Sequence, residues 1–151
     1  RYYRDTARNV SSVDESRDSS LVTTSATEGL YVVFRALLNK GDEMMTLSPF
    51  FPWYLAHATV TECTLLGVPL NPEDGFAVTE EMLERAYAKN NKRVKIFVPC
   101  SQHNPTWACA RHDARVSSAR MCRDHTSVPI ADAEYARSTS LGRKPSFRLR
   151  A

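Results

Sequence analysis

No apolar run in these 151 residues approaches the roughly 20 positions that a membrane-spanning helix needs, and the start, Arg1 to Arg8, lacks the apolar stretch of a secretory leader. The expectation is a cytoplasmic protein with no membrane partner. An excess of one charge sign is also missing: 20 Lys and Arg against 17 Asp and Glu leave +3, and the densest basic stretch is the tail, Arg143 to Arg150. Nucleic-acid binders concentrate basic charge on one face, so no nucleic-acid partner is expected. Five glycines and eight prolines are too few for a fibrous or low-complexity chain. The four cysteines, Cys63, Cys100, Cys109 and Cys122, are irregularly spaced, which predicts reduced thiols rather than a disulfide framework. What remains is a globular composition, 42% hydrophobic and 25% charged, at a length that suits one domain with its own core. The chain opens without Met and stops abruptly, which suggests a fragment.

Residues 1–20 are polar, rich in Ser, Asp and Arg, and read as a short helix around Tyr2 and Tyr3 followed by a loop. From Leu21 the character changes to strands alternating with helices. The expected strands are Leu21 to Thr24, Met44 to Leu47, Thr64 to Val68, Val94 to Val98 and Ser127 to Asp132, five in all. The first helix carries one apolar stripe, Leu30, Val33, Phe34, Leu37 and Leu38, and stops at Asn39-Lys40-Gly41. Further helices are expected from Pro52 to Val60, Thr79 to Lys89 and Arg111 to Arg123, with a turn at Asn71 to Gly75. The alternation predicts an α/β fold, a mainly parallel sheet with helices on both faces, over residues 21–151. In such sheets ligands gather beyond the carboxyl ends of the strands, so the residues that follow each strand carry the functional information.

After the first expected strand comes Ser25-Ala26-Thr27-Glu28, a capping box: Ser at the N-cap with Glu three positions on. The helix N-terminus it defines presents free amides and the positive end of the helix dipole, which suits a phosphate. After the second come four aromatic side chains in Ser48-Pro49-Phe50-Phe51-Pro52-Trp53-Tyr54, most of them read as packing and one as a cover for a planar ring. After the fourth comes Gln102-His103-Asn104-Pro105-Thr106, in which the proline holds Asn104 extended. After the last comes Asp132-Ala133-Glu134-Tyr135, an acid with a phenol three residues on. A phosphorylated pyridine ring requires such a set: a phosphate site, a flat aromatic face, an amide, a phenol and an acid.

In order and spacing these residues resemble the class I/II aminotransferases, fold-type-I enzymes dependent on pyridoxal 5′-phosphate. Val22 to Leu30 resembles the family's TSGATEGL phosphate loop, and Gly41-Asp42-Glu43 with Ser48 to Tyr54 is similar to its GDE and following proline-aromatic segment. His103-Asn104-Pro105-Thr106 resembles HNPTG, and Asp132 to Tyr135 resembles DEAY. The resemblance spans Leu21 to Phe147 and implies an incomplete large, cofactor-binding domain. It implies that Ser25, Ala26 and Thr27 hold the cofactor phosphate, that Phe51 stacks on the pyridine ring, and that Asn104 and Tyr135 bond the ring's 3-oxygen. Asp132 would pair with the protonated ring nitrogen. It also implies amino acid and 2-oxo acid substrates and a homodimer.

The chain departs from the family pattern at Ser25, where the family has Gly, and at Trp107, where HNPT is followed by Gly. The middle pair of DEAY is exchanged, and Pro129 falls inside an expected central strand. The family's Schiff-base lysine lies a few tens of residues beyond the DEAY acid; Lys40, Lys89, Lys92, Lys95 and Lys144 all fall outside that context. The expectation is thus a fragment or truncated relative without its catalytic lysine, the alternative being an inactive α/β binding or structural module. A zinc site from Cys109/His112 and Cys122/His125 is disfavoured, since on one helix the two pairs stand about 20 Å apart. A Cys100/His103 nucleophilic pair lacks an orienting partner.

Overall fold

The computed structural model describes residues 21–90, 94–100, 103–106 and 112–134, with backbone only at 112 and 113. The expected helix at Tyr2 and Tyr3, and Trp107, Cys109 and Tyr135, lie outside the described residues. In chain order the elements are α1 (Ala26–Leu37), β1 (Glu43–Ser48), α2 (Trp53–Val60), β2 (Thr64–Pro69), a 3-10 turn (Pro72–Asp74), α3 (Glu80–Lys89), β3 (Val94–Val98), α4 (His112–Asp124) and β4 (Val128–Pro129). The strands form one parallel sheet in the order β2-β1-β3-β4.

Local chemistry sets the helix boundaries. Ser25 is extended, and its Oγ accepts the Glu28 amide at 3.3 Å. The Glu28 carboxylate reaches back to the amide of Thr24 at 2.5 Å, one residue further than a capping box requires. That backbone bond holds the Glu28 carboxyl below the usual carboxylate range. The helix stops at Leu37, because Leu38 is already extended and Gly41, at φ 82°, turns the chain into β1. Thr79 caps α3 in the same way, accepting the Met82 amide at 3.3 Å.

Both faces of the sheet are covered. Met44, Ile96 and Val98 pack against Leu30, Phe34 and Leu38 around α1 and against Tyr54 and Ala58 of α2. Met45, Leu47, Val68 and Phe97 pack on the opposite side against Leu83 and Tyr87 of α3 and Met121 and Cys122 of α4. A bulge lets β3 serve both layers: Glu43 pairs with Val94 and Met44 with Ile96, so Lys95 is an extra residue. Val94 and Phe97, three apart, therefore share a face, while Ile96 and Val98 share the other.

Three expectations need correction. Leu21 to Thr24 is not a strand; Leu21 and Val22 stand 73% and 82% exposed, and local β-propensity without a neighbouring strand does not hold a ladder. The described sheet accordingly has four strands, not five. Finally, β4 is only Val128–Pro129, followed by an isolated parallel bridge between Cys100 and Asp132. Among the described residues β4 is the outermost strand, a position where the amide that Pro129 lacks is tolerated. No helix among the described residues is long and apolar enough to cross a membrane.

Candidate cofactor site at the carboxyl edge of the sheet

The chain enters β1 from the end of α1, so the helix runs back along the strand. Its 12 residues rise about 18 Å and the 6 residues of β1 span about 20 Å. The first turn of α1 therefore stands at the carboxyl edge of the sheet, together with the β1–α2 loop, the turn at 103–106 and Asp132. Ser25, Ala26 and Thr27 form that first turn. Ser25 has φ −155°, extended backbone that any residue adopts, so the Ser that replaces the family's Gly introduces no strain.

The centre of the edge is a bond between residues 78 positions apart: the Tyr54 phenol donates to Asp132 Oδ2 at 2.6 Å. Tyr54 is 1% exposed in the first turn of α2, among Met44, Ile96 and Val98. Burial, then the bonded Asp132, pushes its phenol well above the usual tyrosine range, so the group remains a donor. Asp132 Oδ1 accepts the Glu134 amide at 3.3 Å. Cys100, the bridge partner of Asp132, is buried and brings its thiol within hydrogen-bonding reach of the same phenol. Phe51, half-buried in the loop before α2, meets Tyr54 edge to face, with centroids 5.9 Å apart and planes at 87°.

The turn that carries Asn104 is pinned to the end of β1 by His103. Its Nε2 faces the Leu47 carbonyl at 3.3 Å and its Nδ1 meets Thr106 Oγ at 2.9 Å. A carbonyl only accepts, so the neutral ring carries its proton on Nε2. Burial lowers the His103 pKa, opposed by the Leu47 carbonyl. Thr106 and Leu47 thus engage the two ring nitrogens, which gives His103 a role in holding the turn. Asn104 is half-buried and precedes Pro105 through a cis peptide bond.

The structure thus joins Phe51 and Asp132 through Tyr54, and sets Asn104 on a turn fixed to the same edge. Sequence reasoning assigned the aromatic run, Phe51 apart, to packing and so missed Tyr54; its signal was a position one helical turn after Phe51. Lys40 precedes β1, Lys89 ends α3 just before β3, and Lys95 is the second residue of β3. All three described lysines therefore stand at the amino edge, where Lys40 pairs with Glu62 at 2.6 Å and Lys95 with Asp42 at 2.8 Å. Elsewhere, burial pushes the Cys122 thiol up to about 12, and His125 stacks on Tyr87 at 4.5 Å while facing Glu84 at 2.9 Å.

A parallel α/β sheet with an aromatic face and a phenol-bound carboxylate at its carboxyl edge is of the open α/β class, in which ligands gather beyond the strand ends. The chain belongs to the aminotransferase class I and II family, whose model matches residues 3–143. That family depends on pyridoxal phosphate. The aspartate aminotransferase of Pyrococcus horikoshii is 28% identical over 123 residues, 82% of this chain and 31% of that protein. Transaminase BacF of Bacillus subtilis is 30% identical over 123 residues, 82% of this chain and 30% of that protein. Among solved structures, a single mutant of Thermus thermophilus aspartate aminotransferase superposes with a TM-score of 0.77 at 27% identity, covering 87% of this chain and 33% of that one. The chain thus spans about a third of the length of the relatives it matches.

Proposed function

We propose that this chain forms the cofactor cradle of a pyridoxal-phosphate-dependent aminotransferase that moves an amino group from an amino acid to a 2-oxo acid, the whole enzyme working as a homodimer. The observation that carries this reading is the Asp132 carboxylate, held by a buried phenol at the edge where Phe51 offers an aromatic face. The donor set fits a phosphorylated pyridine. A helix N-terminus leaves its first amides without intrahelical partners, and those of Ala26 and Thr27, with the Ser25 and Thr27 hydroxyls, would hold the phosphate. Phe51 would cover one ring face, and Asn104 and Tyr135 would bond the ring oxygen. A carboxylate has about four lone-pair sites, so with Tyr54 and the Glu134 amide in place Asp132 keeps acceptor capacity for a ring N–H. Its negative charge would hold the proton on that ring nitrogen.

When bound, the cofactor supplies an electron sink for the pair left as the substrate's Cα proton departs. Holding the ring cationic is the contribution of Asp132. The lysine that links to the cofactor and moves the proton is, on this reading, none of Lys40, Lys89 and Lys95, because they stand at the opposite edge.

The test is a pyridoxal phosphate titration of the 151-residue chain, followed by borohydride reduction. Saturable binding is expected, weakened about 10- to 100-fold by Asp132→Ala, the range for a hydrogen bond to a charged group. No unique lysine should retain the reduced cofactor. Affinity unchanged by Asp132→Ala would overturn the cradle, and a single stoichiometric lysine adduct would overturn the lysine assignment.

A further inference from the structure

We propose that Tyr54 is a positioning residue of this site: one side chain that fixes both the carboxylate facing the ring nitrogen and the aromatic ring covering the ring face. The inference rests on the cofactor reading above and adds to it a residue that touches no cofactor atom. Asp132 is held at two points, Oδ2 by the Tyr54 hydroxyl at 2.6 Å and Oδ1 by the Glu134 amide at 3.3 Å, which sets the plane of the carboxylate. The same phenol ring meets Phe51 edge to face, so a rotation of Phe51 has to displace Tyr54. Tyr54 itself is locked, fully buried against Met44, Ile96 and Val98, with the Cys100 thiol beside its hydroxyl.

The type of donor matters. A neutral phenol orients the carboxylate without itself placing a positive charge beside it, so the bond leaves the charge of Asp132 in place for the ring nitrogen. A lysine or arginine in its place would hold the carboxylate as firmly and cancel the charge that the ring requires. The aromatic body and the hydroxyl do separate work: the body braces Phe51, and the oxygen alone aims Asp132.

That division gives the test, made with two probes: pyridoxal phosphate, and the analogue with a CH group in place of the ring nitrogen. The wild-type chain should prefer pyridoxal phosphate. Tyr54→Phe keeps the ring and should lower that affinity about tenfold while changing analogue affinity less than about twofold. Asp132→Asn should abolish the preference, and adding Tyr54→Phe should then change nothing further. Equal losses for both probes in Tyr54→Phe would reduce Tyr54 to packing and overturn the proposal with the cofactor reading intact. A wild-type chain that binds neither probe would overturn both. Should Tyr54→Phe fail to fold, the wild-type Tyr54 hydroxyl proton, followed by NMR, should shift with pyridoxal phosphate and not with the analogue. A shift absent with both, or equal with both, overturns the proposal.

Discussion

Ser127→Ala removes one oxygen from the middle of a buried relay, and its cost follows from what is left behind. The Tyr87 phenol donates to Ser127 Oγ, which donates to the Val94 carbonyl, tying α3 to the start of β3 and to the residue before β4. Tyr87 and Ser127 are both buried, and burial raises the Tyr87 phenol to about 12, so it is a neutral donor at any working pH. Without Ser127 Oγ this donor has lost its acceptor in a place closed to water. An unsatisfied buried group costs about 1–3 kcal/mol, against a net of about 0.5–1.5 kcal/mol for an ordinary hydrogen bond. Tyr87→Phe deletes the donor and leaves Ser127 bonded to Val94, so it should cost the smaller amount. Ser127→Ala should cost the larger, and the double variant should recover part of the difference. In urea denaturation at pH 7 the midpoint should fall with m unchanged; for a chain of this size 2 kcal/mol is about 4–8 °C in Tm. The reasoning fails if Ser127→Ala lies within about 0.5 kcal/mol of wild type, or if Tyr87→Phe proves the costlier change.

Ser25→Ala should destabilise the fold by about 0.5–2 kcal/mol through loss of the α1 cap, and Ser25→Gly by only a few tenths, read by the same denaturation. A Gly variant as costly as Ala would show that the hydroxyl is bound elsewhere. Acidification should destabilise the chain through His57 and His103. Burial lowers the pKa of both, and His57 is wedged between Tyr31 and Phe34 with Nε2 unpartnered among the described residues. The unfolded chain therefore takes up protons first, near pH 6.5, and stability present above that pH is lost as it falls. A urea midpoint higher at pH 5.5 than at pH 7.5 would refute this.

The layered α/β plan was legible because it is written in local periods. The stripe from Leu30 to Leu38, the Thr79 cap and the apolar run Val94 to Val98 each declare an element without reference to the rest of the chain. Leu21 to Thr24 misled because β-branched and apolar composition alone does not supply a strand partner. The short β4 misled for the converse reason: the apolar composition of Ser127 to Asp132 reads as one long strand, whereas the ladder holds only Val128–Pro129 and a separate bridge at Asp132. At the site, Phe51, Asn104 and Asp132 were visible as residues that follow strands. Their joining was not, since the link between Tyr54 and Asp132 spans 78 positions and belongs to no local pattern. The capping Ser25 was legible as a cap, whereas the reach of Glu28 to Thr24 depends on the path of the preceding loop.

The extra residue in β3 gives the strand a phase as well as a kink. Upstream of Lys95, Val94 points into the layer beneath α3 and α4; downstream, every second residue up to Cys100 points toward α2, where Tyr54 waits. Drawing Lys95 into a regular ladder, with the bulge straightened, would force a choice between twisting Val94 out of its layer and swinging Cys100, with its bridge to Asp132, to the wrong side of the sheet. The aim of the carboxylate at one rim is in this sense timed by a single inserted residue at the other.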